Sequence, residues 1–527
     1  MAVRETQTLM DMFEQAGALG NAPFMSYVDQ LDKAPAETMA YGEFAARAQR
    51  VAANLYRRGV RRGDRVALVA LPKTDYVTTL AGSILLGAIP APINHHFKAR
   101  ELRATLAVLE PAAVAVDDAT CTTVRGAIES FGDAPRLAGI SGCTTADVML
   151  DDPATDYPRP AVTADDPALI LHSSGTTGLP KLVLRSHGSI GGFLDLFAGY
   201  FGEDEHLLNF LPLYHQAGLL LNVLTACRLG TDVVQTSRYS TSSFWTLVDR
   251  YRATHVNLVS PMASFILSRP PADDDREHSL RWMVIAGRND HWADFQDRFG
   301  VTGMTFYGST ETLQITSTGT PKNGPVPREI LESVGAGTYT GPVIGDLTEF
   351  RVIGQNGARI DAPGVPGRIE ARGQYCFSEY FNQPQQTKTA FTSDGWFVTG
   401  DLGYTTPDGA LVLLGRESGM IRRSGENIAP REIELVLEDH PEIKEALVVG
   451  VPDEARGQEV FAQVVLEPGS RLAADDVFAY LDENVSSFKV PRYLEFRDEF
   501  ERTATLKIKL DQTATVDRSA VHDRFKS

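Results

Sequence analysis

Tyr41, Phe44, Ala48, Val51 and Leu55 recur at steps of three and four, the spacing that turns one face of a helix toward a core. Residues 57–64, RRGVRRGD, break the pattern with charge and glycine, and residues 66–71 follow as an unbroken apolar run of strand length. The same alternation of helix, turn and buried strand continues through residues 80–93 and 106–116, and returns at 255–259 and 282–286. Apolar runs without polar alternation suit strands covered on both faces, so the economical expectation is an α/β fold with mostly parallel sheets flanked by helices. A change follows the apolar run 411–414. Residues 415–425, GRESGMIRRSG, form a charged, glycine-punctuated connection, beyond which a self-contained pattern of helix, strand, strand and helix begins. These signals predict a large N-terminal domain over residues 1–415 and a small α+β C-terminal domain over 416–527, large enough to fold alone.

Composition narrows the function classes more than it names one. At 527 residues the chain exceeds a single compact core, and 43% hydrophobic residues suffice to bury two. No apolar run reaches the roughly 18 residues needed to cross a bilayer, so no membrane-spanning segment is expected. A formal net charge of −18 without a long basic tract argues against a nucleic-acid partner. Cys121, Cys143, Cys227 and Cys376 lie far apart with no paired spacing, which argues against a disulfide framework or a zinc site. With no visible secretory signal, a cytoplasmic location is the expectation.

The chemistry is densest at residues 173–181, SSGTTGLPK, directly after the apolar run 168–171. Gly175 and Gly178 let the backbone turn tightly with its N–H groups inward, and Ser173, Ser174, Thr176 and Thr177 add hydroxyl donors for phosphate oxygens. Lys181 supplies a cation. A Walker-type loop fails on spacing, because Pro180 precedes the lysine and Leu182 follows it. Four further segments come in order: FYGSTET at 306–312, TGD at 399–401 within DGWFVTGDLG, Gly415-Arg416, and RTATLK at 502–507.

Together these motifs resemble the adenylate-forming superfamily, which contains acyl-CoA and aryl-CoA ligases, the adenylation domains of peptide synthetases, and firefly luciferase. The resemblance spans nearly the whole chain. It implies that a carboxylic acid is activated with ATP as an acyl-AMP, with loss of pyrophosphate, and that the acyl group passes to a thiol. By that resemblance Thr176, Thr177 and Lys181 would cradle the departing phosphates, Glu311 would hold Mg²⁺ and Thr310 would bond the α-phosphate. Tyr307 would face the adenine, while Asp401 would accept both ribose hydroxyls and Arg416 would steady the same ribose. Lys507, carried by a mobile C-terminal domain, would be the catalytic cation, and His215 in LPLYHQAGL (211–219) would sit at the mouth of the acyl pocket. Taken singly, Tyr307 reads equally as core, Asp401 as a turn cap and Lys507 as a solvated lysine; only the ensemble assigns them.

SGENIAPREIE at 424–434 and SFKVPR at 487–492 resemble segments of acyl-CoA and aryl-CoA ligases and favour CoA as the acceptor. Gly425 would line the pantetheine tunnel, and Lys489, Arg422 or Arg423 would meet the nucleotide phosphates of CoA. The family hinge falls on Ser418, where Asp or Lys is usual, while Leu182, Leu506 and the AGRND stretch at 286–290 also depart from the pattern. Other acceptors stay open at this level: an amine, a carrier-protein thiol or another nucleophile, with a small oxyanion in place of the carboxylate. A nucleotide-binding regulator on the same fold is the non-enzyme reading. The oligomeric state is open, a homodimer included, and so is the identity of the acid.

Overall fold

Buried parallel strands carry the N-terminal part of this computed structural model, as the unbroken apolar runs predict. The structure describes residues 8–525 apart from 130, 133, 141–142, 144–145, 151, 174–180, 203, 287–291, 320–325, 335–336, 345–347, 420, 424–425, 429, 454–455, 486, 503–507 and 509–520. Contacts divide the chain into two units, one of residues 1–326, 343–349 and 371–397, the other of 327–342, 350–370 and 398–527.

The first unit holds two larger sheets. One runs Ile89–Pro92, Arg65–Val69, Ala113–Val116, Arg136–Gly139, Val148–Met149, all parallel. The other runs from Thr302–Met304 through Trp282–Ala286, His255–Val259, His206–Asn209 and Asp232–Thr236 to Pro23–Val28, all parallel, with Glu37–Ala40 added antiparallel at the edge. The periodic stretch at 41–57 is the helix Tyr41–Arg57, which buries Phe44, Ala48, Val51 and Leu55 as its spacing requires. The apolar run 80–93 divides: Thr74–Leu85 is a helix and Ile89–Pro92 a strand, with Gly87 at φ +74 making the turn between them. The run 168–171 departs from the parallel expectation. It lies in the strand Pro167–Ser173, which pairs antiparallel with Lys181–Ser186 in a two-stranded ribbon.

The second unit contains the antiparallel pairing of Leu411–Arg416 with Thr338–Gly341 and with Phe397–Thr405. Beyond it the expected order appears as helix Pro430–Glu438, strands Ile443–Asp453 and Gly457–Leu466, and helix Ala474–Asn484. Further strands were not read from the pattern: Tyr493–Arg497 adds to Gly457–Leu466 in parallel, and the short Ile421–Arg423 and Glu426–Ile428 pair antiparallel ahead of the helix. Ile421, Ile433, Leu437, Val448, Val460, Val477, Leu481 and Leu494 form the core of this part. Among the described residues no helix is long and apolar enough to cross a membrane.

Candidate active site

The antiparallel ribbon of the first unit sets Ser173 directly opposite Lys181, so the chain leaves and re-enters the 174–180 stretch at neighbouring positions. Ser174, Gly175, Thr176, Thr177 and Gly178 lie outside the described residues. Ser173 directs its hydroxyl at Glu311, donating to Oε1 at 3.0 Å, while the half-buried Lys181 holds its ammonium 4.8 Å from the centre of the Tyr380 ring.

Glu311 owes its place to a tight reversal between strands Phe306–Tyr307 and Thr316–Ser317. The Ile315 N–H donates back to Tyr307 O at 2.8 Å, and Leu313 takes a left-handed φ of +55. Gly308 is required there, because a Cβ would collide with the carbonyl oxygen of Leu313. Ser309 Oγ accepts from the Glu311 N–H at 3.2 Å, which caps the turn. Glu311 is only 8% exposed, and its Oε1 accepts from Tyr380 as well as Ser173, each at 3.0 Å. Its backbone carbonyl accepts from the Phe377 N–H at 2.7 Å and from Arg185 Nη1 at 3.4 Å. Tyr307 is buried on the same reversal and Thr310 is half-buried beside Glu311.

Arg185 was not singled out by sequence. It is 1% exposed, donates from Nη1 to Tyr375 O at 2.8 Å, and faces no carboxylate ion pair among the described residues. Burial pushes its guanidinium down to about 10, against an opposing pull from Cys376 and Glu311. Only its place four residues after Lys181 in the same strand set it apart. Tyr380 gave no sequence signal beyond an aromatic residue in SEYFNQP.

His215 stands at the start of the short helix Gln216–Gly218, its ring stacked on His172 with centroids 5.9 Å apart and tilted over Tyr214 at 4.9 Å. His172 Nδ1–H donates to Pro92 O at 3.2 Å, since a carbonyl oxygen can only accept. Burial holds His172 below the ordinary imidazole range and lowers His95, beside Tyr214, to about 4. His172, His95 and Tyr214 stay neutral near pH 7, and the wall is π-rich. A six-residue π-helix, Leu219–Leu224, follows at once, every residue buried; such insertions concentrate at functional sites.

In the second unit, strand pairing sets Asp401 across from Arg416. Arg416 Nε meets Asp401 Oδ1 at 2.9 Å and Nη1 donates to Thr399 O at 2.8 Å, while the Asp401 N–H donates to Thr399 Oγ1 at 3.0 Å. The two expected ribose residues are thus joined to each other. Arg423 is buried and forked on Glu459, with Nε 2.6 Å from Oε2 and Nη2 3.3 Å from Oε1, and its Nη1 donates to Phe488 O at 2.9 Å. Its donors are engaged inside this unit, and the half-buried Lys489 holds its ammonium 5.7 Å from the Phe488 ring centre. Ser418 falls in the short turn Glu417–Gly419, and Leu182 is a buried strand residue. Gly425, Lys507, Leu506, Arg288 and Asp290 lie outside the described residues, as does the side chain of Arg422.

No group of three His, Cys, Asp or Glu side chains suited to a metal occurs among the described residues. A lone buried carboxylate beside a phosphate-type loop nevertheless fits Mg²⁺, which takes one or two carboxylates and completes its shell with substrate phosphates and water. Residues 12–381 match the AMP-binding enzyme family and residues 432–507 match the AMP-binding enzyme C-terminal domain. The crotonobetaine/carnitine–CoA ligase of Escherichia fergusonii is 31% identical over 490 residues, covering 89% of this chain and 91% of that one. Among solved structures, ATP-bound MatB from Rhodopseudomonas palustris superposes with a TM-score of 0.80 at 25% identity, covering 95% of this chain and 97% of that one. The o-succinylbenzoate CoA synthetase (MenE) of Bacillus subtilis, in complex with its acyl-adenylate intermediate OSB-AMP, gives 0.80 at 25% identity over 94% and 96%. With a family model covering most of its length and a relative of this identity matched nearly end to end, the chain belongs to the AMP-binding enzymes.

Proposed function

We propose that this chain is an AMP-forming acid–thiol ligase: it activates a carboxylic acid with ATP as acyl-AMP, releases pyrophosphate, and passes the acyl group to the thiol of CoA. The observation that carries the reading is the convergence of Ser173 and Tyr380 on Glu311, with Lys181 over the Tyr380 ring, at the neck of the glycine- and hydroxyl-rich loop. A carboxylate resists attack because its charge repels nucleophiles; forming the anhydride with AMP removes that charge but brings two anions together. Lys181 would offset charge on the departing phosphates, with Ser174, Gly175, Thr176, Thr177 and Gly178 as donors. Mg²⁺, held by Glu311, would neutralise phosphate charge. Thr310 would bond the α-phosphate, Tyr307 would cover the adenine, and Asp401 with Arg416 would hold the ribose. The aromatic wall of His215, Tyr214, His172 and His95 would receive the apolar side of the acid. Residues 416–527 would serve as a mobile domain, with Lys507 bridging substrate carboxylate and α-phosphate and with Gly425 and Lys489 meeting CoA.

Relatives and neighbours named as CoA ligases or synthetases support the thiol acceptor. Acid-dependent pyrophosphate release across a panel of aliphatic, aromatic and amino acids, each with and without CoA, tests the proposal. Thioester formation with one acid is the expected result. Acid-dependent pyrophosphate release without thioester would remove CoA and leave adenylation; no acid-dependent release would remove both.

A further inference from the structure

Tyr380 is 2% exposed and packs with Val183, Phe377, Ala390 and Phe397, so its ring has one orientation. A buried phenol needs a partner, and this one donates to Glu311 Oε1 at 3.0 Å. The face of the same ring receives the Lys181 ammonium at 4.8 Å, within cation–π range. One rigid side chain therefore touches both the loop cation and the buried carboxylate.

The backbone around it repeats that link. Tyr380 forms an antiparallel bridge with Val183, the Phe381 N–H donates to Leu182 O at 2.7 Å, and the Leu184 N–H donates to Glu379 O at 3.1 Å. Three residues earlier, the Phe377 N–H binds the Glu311 carbonyl at 2.7 Å. Residues 377–381 thus tie the Glu311 reversal to the Lys181 strand, with the phenol ring between. Free of that ring, an ammonium and a carboxylate so near each other gain by pairing directly, which would hide both from a nucleotide. Among the described residues no ion pair joins them. The phenol and Ser173 both donate to Oε1, and among the described residues no donor reaches Oε2.

We propose that Tyr380 is a positioning residue that keeps Lys181 and Glu311 apart and separately aimed, so that the lysine meets phosphate oxygens while the glutamate meets the nucleotide's Mg²⁺. This rests on the reading of the site given above. Calorimetric titration of ATP into the full-length enzyme without acid, once with Mg²⁺ and once with EDTA, tests it. Tyr380→Phe keeps the ring and removes the hydroxyl; it is expected to cut the gain in affinity conferred by Mg²⁺ about tenfold, the worth of a hydrogen bond to a charged group, and to leave binding in EDTA within about twofold. Tyr380→Leu removes the ring as well and is expected to weaken binding in EDTA by about threefold or more. A folded Tyr380→Phe enzyme with the wild-type Mg²⁺ gain, or with equal losses in both titrations, overturns the proposal. Wild-type enzyme that gains nothing from Mg²⁺ overturns the reading of Glu311 itself, which separates the two failures.

Discussion

Arg185 and Arg423 are both buried guanidiniums, one in each unit, and they are accommodated in opposite ways. Arg423 is forked on the Glu459 carboxylate in an almost fully buried pair. Arg185 has carbonyl oxygens of Tyr375 and Glu311 and keeps Nε and Nη2 without a partner among the described residues. The first arrangement neutralises a charge inside a core and stiffens it. The second leaves positive potential behind the backbone of Glu311, at the cost of desolvation that pulls the guanidinium toward neutrality. An incompletely partnered buried cation is tolerated beside the site, whereas the core of the C-terminal part uses a closed pair.

The contrast can be broken most sharply at Arg423. Arg423→Met leaves the buried Glu459 only the exposed Arg456, 3.3 Å from its Oε1, and should cost up to about 3–5 kcal/mol in denaturant unfolding, while Arg423→Met with Glu459→Leu should recover most of that loss. A loss below about 1 kcal/mol for the single variant would mean that the pair is wetter than its geometry indicates. His187 is a third solution, a buried base kept neutral: it accepts the Leu9 N–H at Nδ1 at 3.2 Å, and burial lowers it to about 4 from 6.5. The sign follows directly. Between pH 6.5 and 4 the unfolded chain binds a proton that the folded chain refuses, so stability falls as pH falls, by about 1.4 kcal/mol per pH unit for this group. Urea unfolding of wild type and His187→Gln at pH 6.5 and 4.5 should show a shallower pH dependence in the variant; parallel curves would show that His187 titrates normally.

Arg185→Met should change stability by less than about 2 kcal/mol, because relief of a buried charge offsets the lost hydrogen bonds, yet it should weaken MgATP binding several-fold by freeing the Glu311 backbone. If stability drops as far as for Arg423→Met, the two arginines do the same work. The smallest effect belongs to Arg416→Lys. Its side chain is 59% exposed, so the ion pair with Asp401 is worth about 1 kcal/mol or less, and the ATP KM should rise no more than about fivefold.

Periodicity made the helix Tyr41–Arg57 and the strands His255–Val259 and Trp282–Ala286 legible, because burial on one face or on both leaves a repeat in the chain. The direction of pairing leaves no such repeat. Residues 168–171 look like any buried strand, yet they belong to an antiparallel ribbon whose partner lies just across the loop. Candidate residues could be named where chemistry and spacing coincide, as at Lys181, Glu311 and Asp401. Tyr380 and Arg185 could not, since an aromatic or an arginine in a strand-like segment is distinguished only by what packs over it. The sequence expectation also offered Arg423 for a ligand phosphate, and nothing local revealed that Glu459, far along the chain, would claim it.

The pairing of Ser173 with Lys181 has one more consequence. Seven residues, 174–180, join two positions already zipped together by the ribbon from Pro167 and Ser186 upward, so the entropy of bringing the loop ends together is settled by the strands. Even doubling such a loop would add only about 0.6 kcal/mol to its closure. The ribbon thus works as a fixed mounting on which the loop's length and composition can drift in evolution, or be exchanged in the laboratory, with little effect on whether the surrounding unit folds.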